Sequence, residues 1–185
     1  NGKEEINTIQ KAVDEAENVI RTLLDYSGRD RNGSEMIHIG TVINQILLLS
    51  KKEIIRKGIT VKKNIDNECY VNSTSREAIK VILQNIILNA IQAVNFDGRI
   101  DISCLQNNEE VIVKNKDNGG GIKIHPKEKI FDPFISTKED GNGIGLWITK
   151  KLMTSLNGEI IIDEPNKGET EFTLCIPTNR KEQEK

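Results

Sequence analysis

Surplus positive charge is the first thing this chain lacks. Its 26 lysines and arginines are outnumbered by 28 aspartates and glutamates, for a formal net charge of −2. Nucleic acids are gripped by cations that neutralise phosphates, so this balance argues against a nucleic-acid partner. Long apolar runs are missing as well. None approaches the ~18–20 residues that span a bilayer, and no signal peptide opens the chain. Cysteine is scarce: Cys69, Cys104 and Cys175 are odd in number, show no Cys-X-X-Cys spacing and sit in strand-like apolar settings. They read as reduced core thiols of a cytosolic protein. An initiator methionine is missing too, since the chain opens Asn1-Gly2-Lys3, which reads as a fragment or a processed product.

What remains is 185 residues, 36% hydrophobic and 29% charged, sized for one domain with an attached element. Residues 3 to about 27 carry Ile6, Ile9, Val13, Ala16, Ile20 and Leu23 at alternating spacings of three and four. That is the seam of a heptad helix, and a lone helix needs a partner to cover it. Packing on its own domain is the other reading. The polar break 28–33 reads as a linker, and a second unit starts near Ser34. Within that unit, 36–39 reads as a short strand and 41–56 as one amphipathic helix ended by Gly58, with strands at 59–65 and 69–71. Thr74 with Glu77 makes a capping pattern for a helix from 76 to about 94 that is apolar on most sides. Two hairpins follow, 99–105 with 110–116 and 159–163 with 170–176, separated by a helix at 145–156. Thr178 onward reads as a charged tail. Strands and helices mix without regular βαβ alternation, so the predicted class is α+β, a two-layer sandwich of mixed sheet against helices.

Three polar motifs interrupt this frame. Asn85 and Asn89, four apart, share one face of the apolar helix. Buried amides without partners cost on the order of 1–3 kcal/mol each, so the pair points to a polar ligand or to loop backbone that satisfies it. Asp117-Asn118-Gly119-Gly120-Gly121-Ile122 places a carboxylate at a strand end before a glycine turn. Such a carboxylate suits the exocyclic amine of adenine, where guanine presents a carbonyl, and the glycines let a flat ring approach the backbone. A simple turn cap is the bland alternative. Gly141-Asn142-Gly143-Ile144-Gly145-Leu146 runs straight into a helix, so free N–H groups and the positive helix end face an anion. It has neither the Gly-Lys-Ser/Thr of a Walker loop nor the leading strand of a Rossmann fingerprint. Thr137 and Lys138 stand just ahead of it, within reach of terminal phosphates. Asn89 offers an oxygen to Mg²⁺, which takes few protein ligands beside phosphates and water.

In this order, with Phe131-Asp132-Pro133-Phe134 between the glycine motifs, the pieces resemble the catalytic ATP-binding domain of bacterial sensor histidine kinases, of the GHKL superfamily. The resemblance covers about residues 36 to 177, and the first helix is similar to the second helix of the family's dimerisation domain. It implies a Bergerat-type ATP-binding fold, with 1–30 a partial dimerisation and phosphoacceptor helix, 34–178 the catalytic domain and 179–185 a flexible tail. It implies ATP and Mg²⁺ as cofactors, Asn89 on the metal, Asp117 on the adenine amine, and Gly119, Gly121 and Ile122 around the base. Asn85, Thr137, Lys138, Gly141, Asn142, Gly143, Ile144, Gly145 and Leu146 complete the implied ATP-binding set at the phosphates and the lid, and Thr170 is placed near Asp117. Phe131 and Phe134 are implied anchors of the lid base, ordinary core packing being the other reading. Gln92 stands where many relatives carry a basic residue, so no phosphate contact carries over to it.

One position separates the enzymes that share such a site. Gyrase, the MutL-type repair proteins, the heat-shock chaperones and the anti-sigma serine kinases place a glutamate general base four residues before the metal asparagine. Here that position is Asn85, and an amide cannot accept a proton. A neutral imidazole is already nucleophilic, so the resemblance implies phosphotransfer to histidine and disfavours ATP hydrolysis. His38 and His125, the chain's two histidines, are on no helix with a following acid and read as structural or surface residues. The acceptor is expected on a dimerisation helix absent from this chain. The implied partners are a second copy through the first helix and the receiver domain of a response regulator. The implied location is cytoplasmic, with membrane contact only through upstream segments. A nucleotide-regulated dimerisation module without turnover is the alternative reading, and the intact motifs argue against it.

Overall fold

A computed structural model describes residues 35–73, 76–138 and 141–178. The expected heptad helix, the linker, the Thr74 cap and the tail over 179–185 lie outside the described residues. In chain order the elements are β1 (Glu35–His38), α1 (Ile39–Leu49), α2 (Lys51–Arg56), β2 (Thr60–Ile65), β3 (Tyr70–Ser73) and α3 (Arg76–Ala93). Then come β4 (Arg99–Gln106), β5 (Glu110–Asp117), a 3₁₀ turn (Lys127–Phe131), α4 (Gly145–Ser155), β6 (Glu159–Asp163) and β7 (Thr170–Pro177).

Period-two alternation builds the main sheet. Ile100, Ile102 and Cys104 of β4, Val111 and Val113 of β5, and Phe172, Leu174 and Ile176 of β7 all point to one buried face. The strand order is β2-β4-β5-β7-β6, with β2 parallel to β4 and the other pairs antiparallel. Both expected hairpins form, and the α+β two-layer expectation holds. β1 and β3 pair separately as a two-stranded ribbon.

The helices cover the apolar face. Ile79, Ile82, Leu83, Ile86, Ile87 and Ile91 of α3 are each at most 3% exposed, alongside Val42, Ile43 and Ile46 of α1 and Leu152 and Met153 of α4. Burying each of these large side chains contributes roughly 1.5–3 kcal/mol, so α3 is the element around which the layer is fixed. Its C-terminal carbonyls are closed by a distant lysine. The Lys57 ammonium donates to Ile91 O (2.9 Å), Gln92 O (3.3 Å) and Val94 O (3.0 Å). That capping ties the last turn of α3 to the connection between α2 and β2.

Three local expectations differ from the structure. The helix expected over 41–56 is two helices, broken at Ser50, whose φ of −88° and ψ of 2° leave the helical basin. Thr178 does not begin the tail: it is buried, its N–H donates to Glu109 O (2.9 Å) and its carbonyl accepts from Asn72 N–H (3.2 Å). Among the thiols, Cys69 and Cys104 are core residues, whereas Cys175 is only partly buried, and all three are free. His38 caps α1, its Nδ1 accepting from Thr41 N–H at 3.1 Å, and His125 is exposed.

Candidate functional site

Asp117 is the last residue of β5, directly opposite Ile100 of β4 and Thr170 of β7. It is 3% exposed. Its Oδ1 accepts from Gly119 N–H at 2.8 Å. Burial pushes its carboxyl up to about 6, a shift that the Gly119 N–H bond and the Lys138 ammonium oppose and nearby Glu169 reinforces. The turn that follows is tied on three sides. Asn118 Oδ1 accepts from Arg99 N–H (2.7 Å), Gly120 N–H donates to Gly168 O (2.9 Å) and Ile122 N–H donates to Glu164 Oε1 (2.9 Å). Gly119 is glycine for a steric reason: a Cβ there would lie 2.7 Å from the carbonyl carbon of Ala93, at the end of α3. Gly121, at φ +75°, would press a Cβ to 2.7 Å from Glu164 Oε1.

The other end is built from loop and helix terminus. α4 starts at Gly145 with no side chain capping its first turn, so its leading N–H groups are available to an anion. Gly143 (φ +66°) packs on the Phe134 backbone, and Phe134 N–H donates to Gly143 O at 3.1 Å. Asn142 Oδ1 accepts from Ile144 N–H at 3.2 Å. Lys138 is an exposed residue whose ammonium reaches inward, donating to Asn89 Oδ1 (2.9 Å) and Gln92 Oε1 (2.6 Å). Lost hydration lowers its pKa, Asp117 opposes that shift, and the Lys57 charge adds to it.

Both ends open on one cavity of about 730 Å³. Its lining brings together Asn89, Asp117, Gly121, Ile122, Thr137, Lys138, Gly141, Asn142, Gly143, Gly145, Leu146 and Thr170. Asn85, Gly119 and Ile144 do not line it. The Asn85 amide donates to Gly145 O (2.9 Å) and Thr149 Oγ1 (3.1 Å), so loop and helix groups satisfy it. Gly119 faces α3, and Ile144 is 4% exposed in the interior. Phe131 packs against the core beneath the Lys150 ammonium, 5.2 Å from its ring centre, whereas Phe134 is 45% exposed. Sequence reasoning missed the apolar walls Ile130, Ile162 and Phe172, together with the side chain of Gln92. Register could have found Phe172, which follows two residues after Thr170 on the same face of β7.

The residues fit a magnesium–nucleotide pair. Among the described residues no group of three His, Cys, Asp or Glu side chains is placed to hold a metal. Asn89 Oδ1 nevertheless faces the cavity and already holds a cation, the Lys138 ammonium. A single amide oxygen suits Mg²⁺ when phosphates and water supply the remaining ligands.

A two-layer sheet-and-helix domain with a buried carboxylate and an open helix N-terminus lining one cavity defines a class of nucleotide-binding domain. The chain belongs to the histidine kinase-, DNA gyrase B-, and HSP90-like ATPase family, whose profile matches residues 74–180. Within it, the similarities run to sensor histidine kinases. The chain is 30% identical over 179 residues to the signal transduction histidine-protein kinase AtoS of Escherichia coli (strain K12), covering 96% of this chain and 29% of AtoS. The chain thus spans under a third of that relative. The catalytic domain of histidine kinase ThkA superposes with a TM-score of 0.70 at 27% identity, over 78% of this chain and 95% of that one. A second ThkA structure, in complex with the response regulator protein TrrA, matches with a TM-score of 0.67 at 27% identity, over 96% of this chain and 52% of that one. The expected histidine-kinase type of ATP-binding domain is therefore borne out.

Proposed function

We propose that this chain binds Mg·ATP in the cavity and transfers the γ-phosphoryl group to a histidine supplied from outside it. One observation carries this reading: the buried Asp117 carboxylate and the uncapped start of α4 line the same cavity. The carboxylate accepts from the exocyclic amine of adenine, and Thr170 and Gly121 stand beside it. Ile122, Ile130, Ile162 and Phe172 give the ring an apolar slot. The α4 N–H groups and the Gly141–Gly145 backbone take the phosphates, and Lys138 and Thr137 stand at their terminal end. Asn89 would hold Mg²⁺, which supplies charge neutralisation on the phosphates when bound.

Transfer then rests on positioning. The lone pair of a neutral imidazole nitrogen attacks γ-phosphorus, the bond to the bridging oxygen breaks and ADP leaves. No proton has to be removed from the attacking nitrogen first, which suits a site where Asn85 is an amide committed to α4. Neither His38 nor His125 lines the cavity, so the acceptor is placed on a dimerisation helix of another segment or chain. The remaining assignments belong to the same proposal: domains at 1–30, 34–178 and 179–185, a homodimer through the first helix, and relay to a response regulator receiver domain. ThkA has been solved with such a regulator. No helix among the described residues is long and apolar enough to cross a membrane; the cytoplasmic placement is part of the same proposal.

The test incubates labelled Mg·ATP with the chain, with and without a separately made dimerisation domain bearing an acceptor histidine. Acid-labile label on the added domain, with little free phosphate, is expected. Rapid release of free phosphate would overturn the reading in favour of a hydrolase. Bound but unreacted nucleotide would favour a regulatory module.

A further inference from the structure

Asn89 and Gln92 are three apart on α3 and therefore neighbours on one helical face. Their side-chain oxygens share one cation, with the Lys138 ammonium at 2.9 Å from Asn89 Oδ1 and 2.6 Å from Gln92 Oε1. Both residues line the cavity. Asn89 Oδ1 is also the oxygen offered to the metal, and an ammonium and a divalent ion against one amide oxygen repel each other at close range. When the metal arrives, Gln92 is the hydrogen-bond acceptor left to the Lys138 ammonium among the described residues. The Asp117 carboxylate attracts that ammonium without such a bond. The bonds around it, Lys138 N–H to Ser136 Oγ (3.0 Å) and Gly141 N–H to Lys138 O (3.2 Å), fix the main chain. A four-carbon stem with a strongly hydrated tip would otherwise return to solvent.

We propose that Gln92 is a positioning residue: its side-chain carbonyl holds the Lys138 ammonium at the phosphate end of the cavity once Asn89 is taken, so that a second cation meets the terminal phosphates beside the metal. This rests on the ATP reading above. Gln92 carries no charge, and the side-chain contact it makes is with the Lys138 ammonium. Lysine is one bond longer than glutamine, so an ammonium delivered from position 92 would fall close to where the Lys138 ammonium now sits.

The test measures affinity by calorimetry for Mg·ATP, for ATP in a chelator and for adenosine. The proteins are the wild type, Gln92→Met, Lys138→Met, the double variant, and Gln92→Lys combined with Lys138→Met. A charge-assisted contact to phosphate makes Lys138→Met about 10–100-fold weaker for Mg·ATP, with Gln92→Met losing a smaller part of that. The double variant is expected to be no weaker than Lys138→Met alone, since the two residues act as one unit. In chelator the Gln92→Met loss shrinks, because Asn89 still seats the lysine. Gln92→Lys with Lys138→Met recovers affinity, and at pH 8 adenosine binds the wild type and Gln92→Met alike. Additive losses, an unchanged Gln92→Met, or a fall in its adenosine affinity would overturn the proposal. Failure of the wild type to bind Mg·ATP would instead remove the ATP reading beneath it.

Discussion

At the Asp117 end the cavity wall is sheet and pinned turn, while at the Lys138 end it is loop, helix terminus and side-chain hydrogen bonds. Asp117 is locked between two strands, and its turn is tied to β4, to the β6–β7 connection and to the end of α3. Lys138 reaches its partners from an exposed residue. The difference follows the two tasks. Recognising a base needs a donor–acceptor pattern fixed in place and dehydrated. Gripping phosphates needs cations and N–H groups that admit a bulky anion and later release it.

The comparison breaks most sharply at Gly119. Gly119→Ala drives a methyl into the Ala93 backbone and is expected to cost about 3 kcal/mol of stability in a urea melt. A loss below about 1 kcal/mol would mean that the turn is not wedged against α3.

Asp117→Asn acts in the opposite direction on stability. The folded carboxyl titrates near 6, above its ordinary value of 3.8, so burial penalises the ionised form. Asp117 therefore weakens the fold as pH rises through that interval. Removing the charge should gain on the order of 2 kcal/mol at pH 8 and nothing below pH 3.5, as read from thermal melts across pH. The same titration sets recognition, because a protonated carboxyl is a poorer acceptor. Adenosine, which has no phosphate to titrate, should bind progressively more weakly as pH falls through about 6, followed by chemical-shift titration. Flat affinity from pH 8 to 5 would detach the carboxylate from the base.

Smaller effects sharpen the other end. Asn85→Ala should cost about 1 kcal/mol, since Gly145 O still accepts from Thr149 Oγ1 at 2.9 Å. Gly145→Ala meets Asn85 only at 3.6 Å, an ordinary contact, so stability should move by less than ~0.5 kcal/mol. Gly145 lines the cavity, and Mg·ATP affinity should fall although the melt does not.

These contrasts also explain what the sequence made legible. Asp117 and the glycine loops could be read because their chemistry lies in contiguous stretches, where a strand end or a helix start converts order into geometry. The hairpins came through for the same reason, from alternation and turn residues. The seat of Lys138 could not be read, because its partner Gln92 lies 46 residues away and is an uncharged amide in an apolar helix. The Lys57 cap on α3 spans 34 residues or more and gives no local pattern. Apolar periodicity continues through Ser50, so the break between α1 and α2 is visible only in its backbone angles. Asn85 and Asn89 look equivalent in sequence, yet one ties α4 to α3 and the other faces the cavity.

The most direct test compares Mg·ATP and Mg·GTP binding by the wild type and Asp117→Asn, with circular dichroism confirming the fold of each. The account predicts that the wild type prefers ATP by at least about 100-fold, because guanine leaves a buried carboxylate without its donor. It predicts no measurable ATP binding by a folded Asp117→Asn protein. Unchanged ATP affinity in that variant would contradict it.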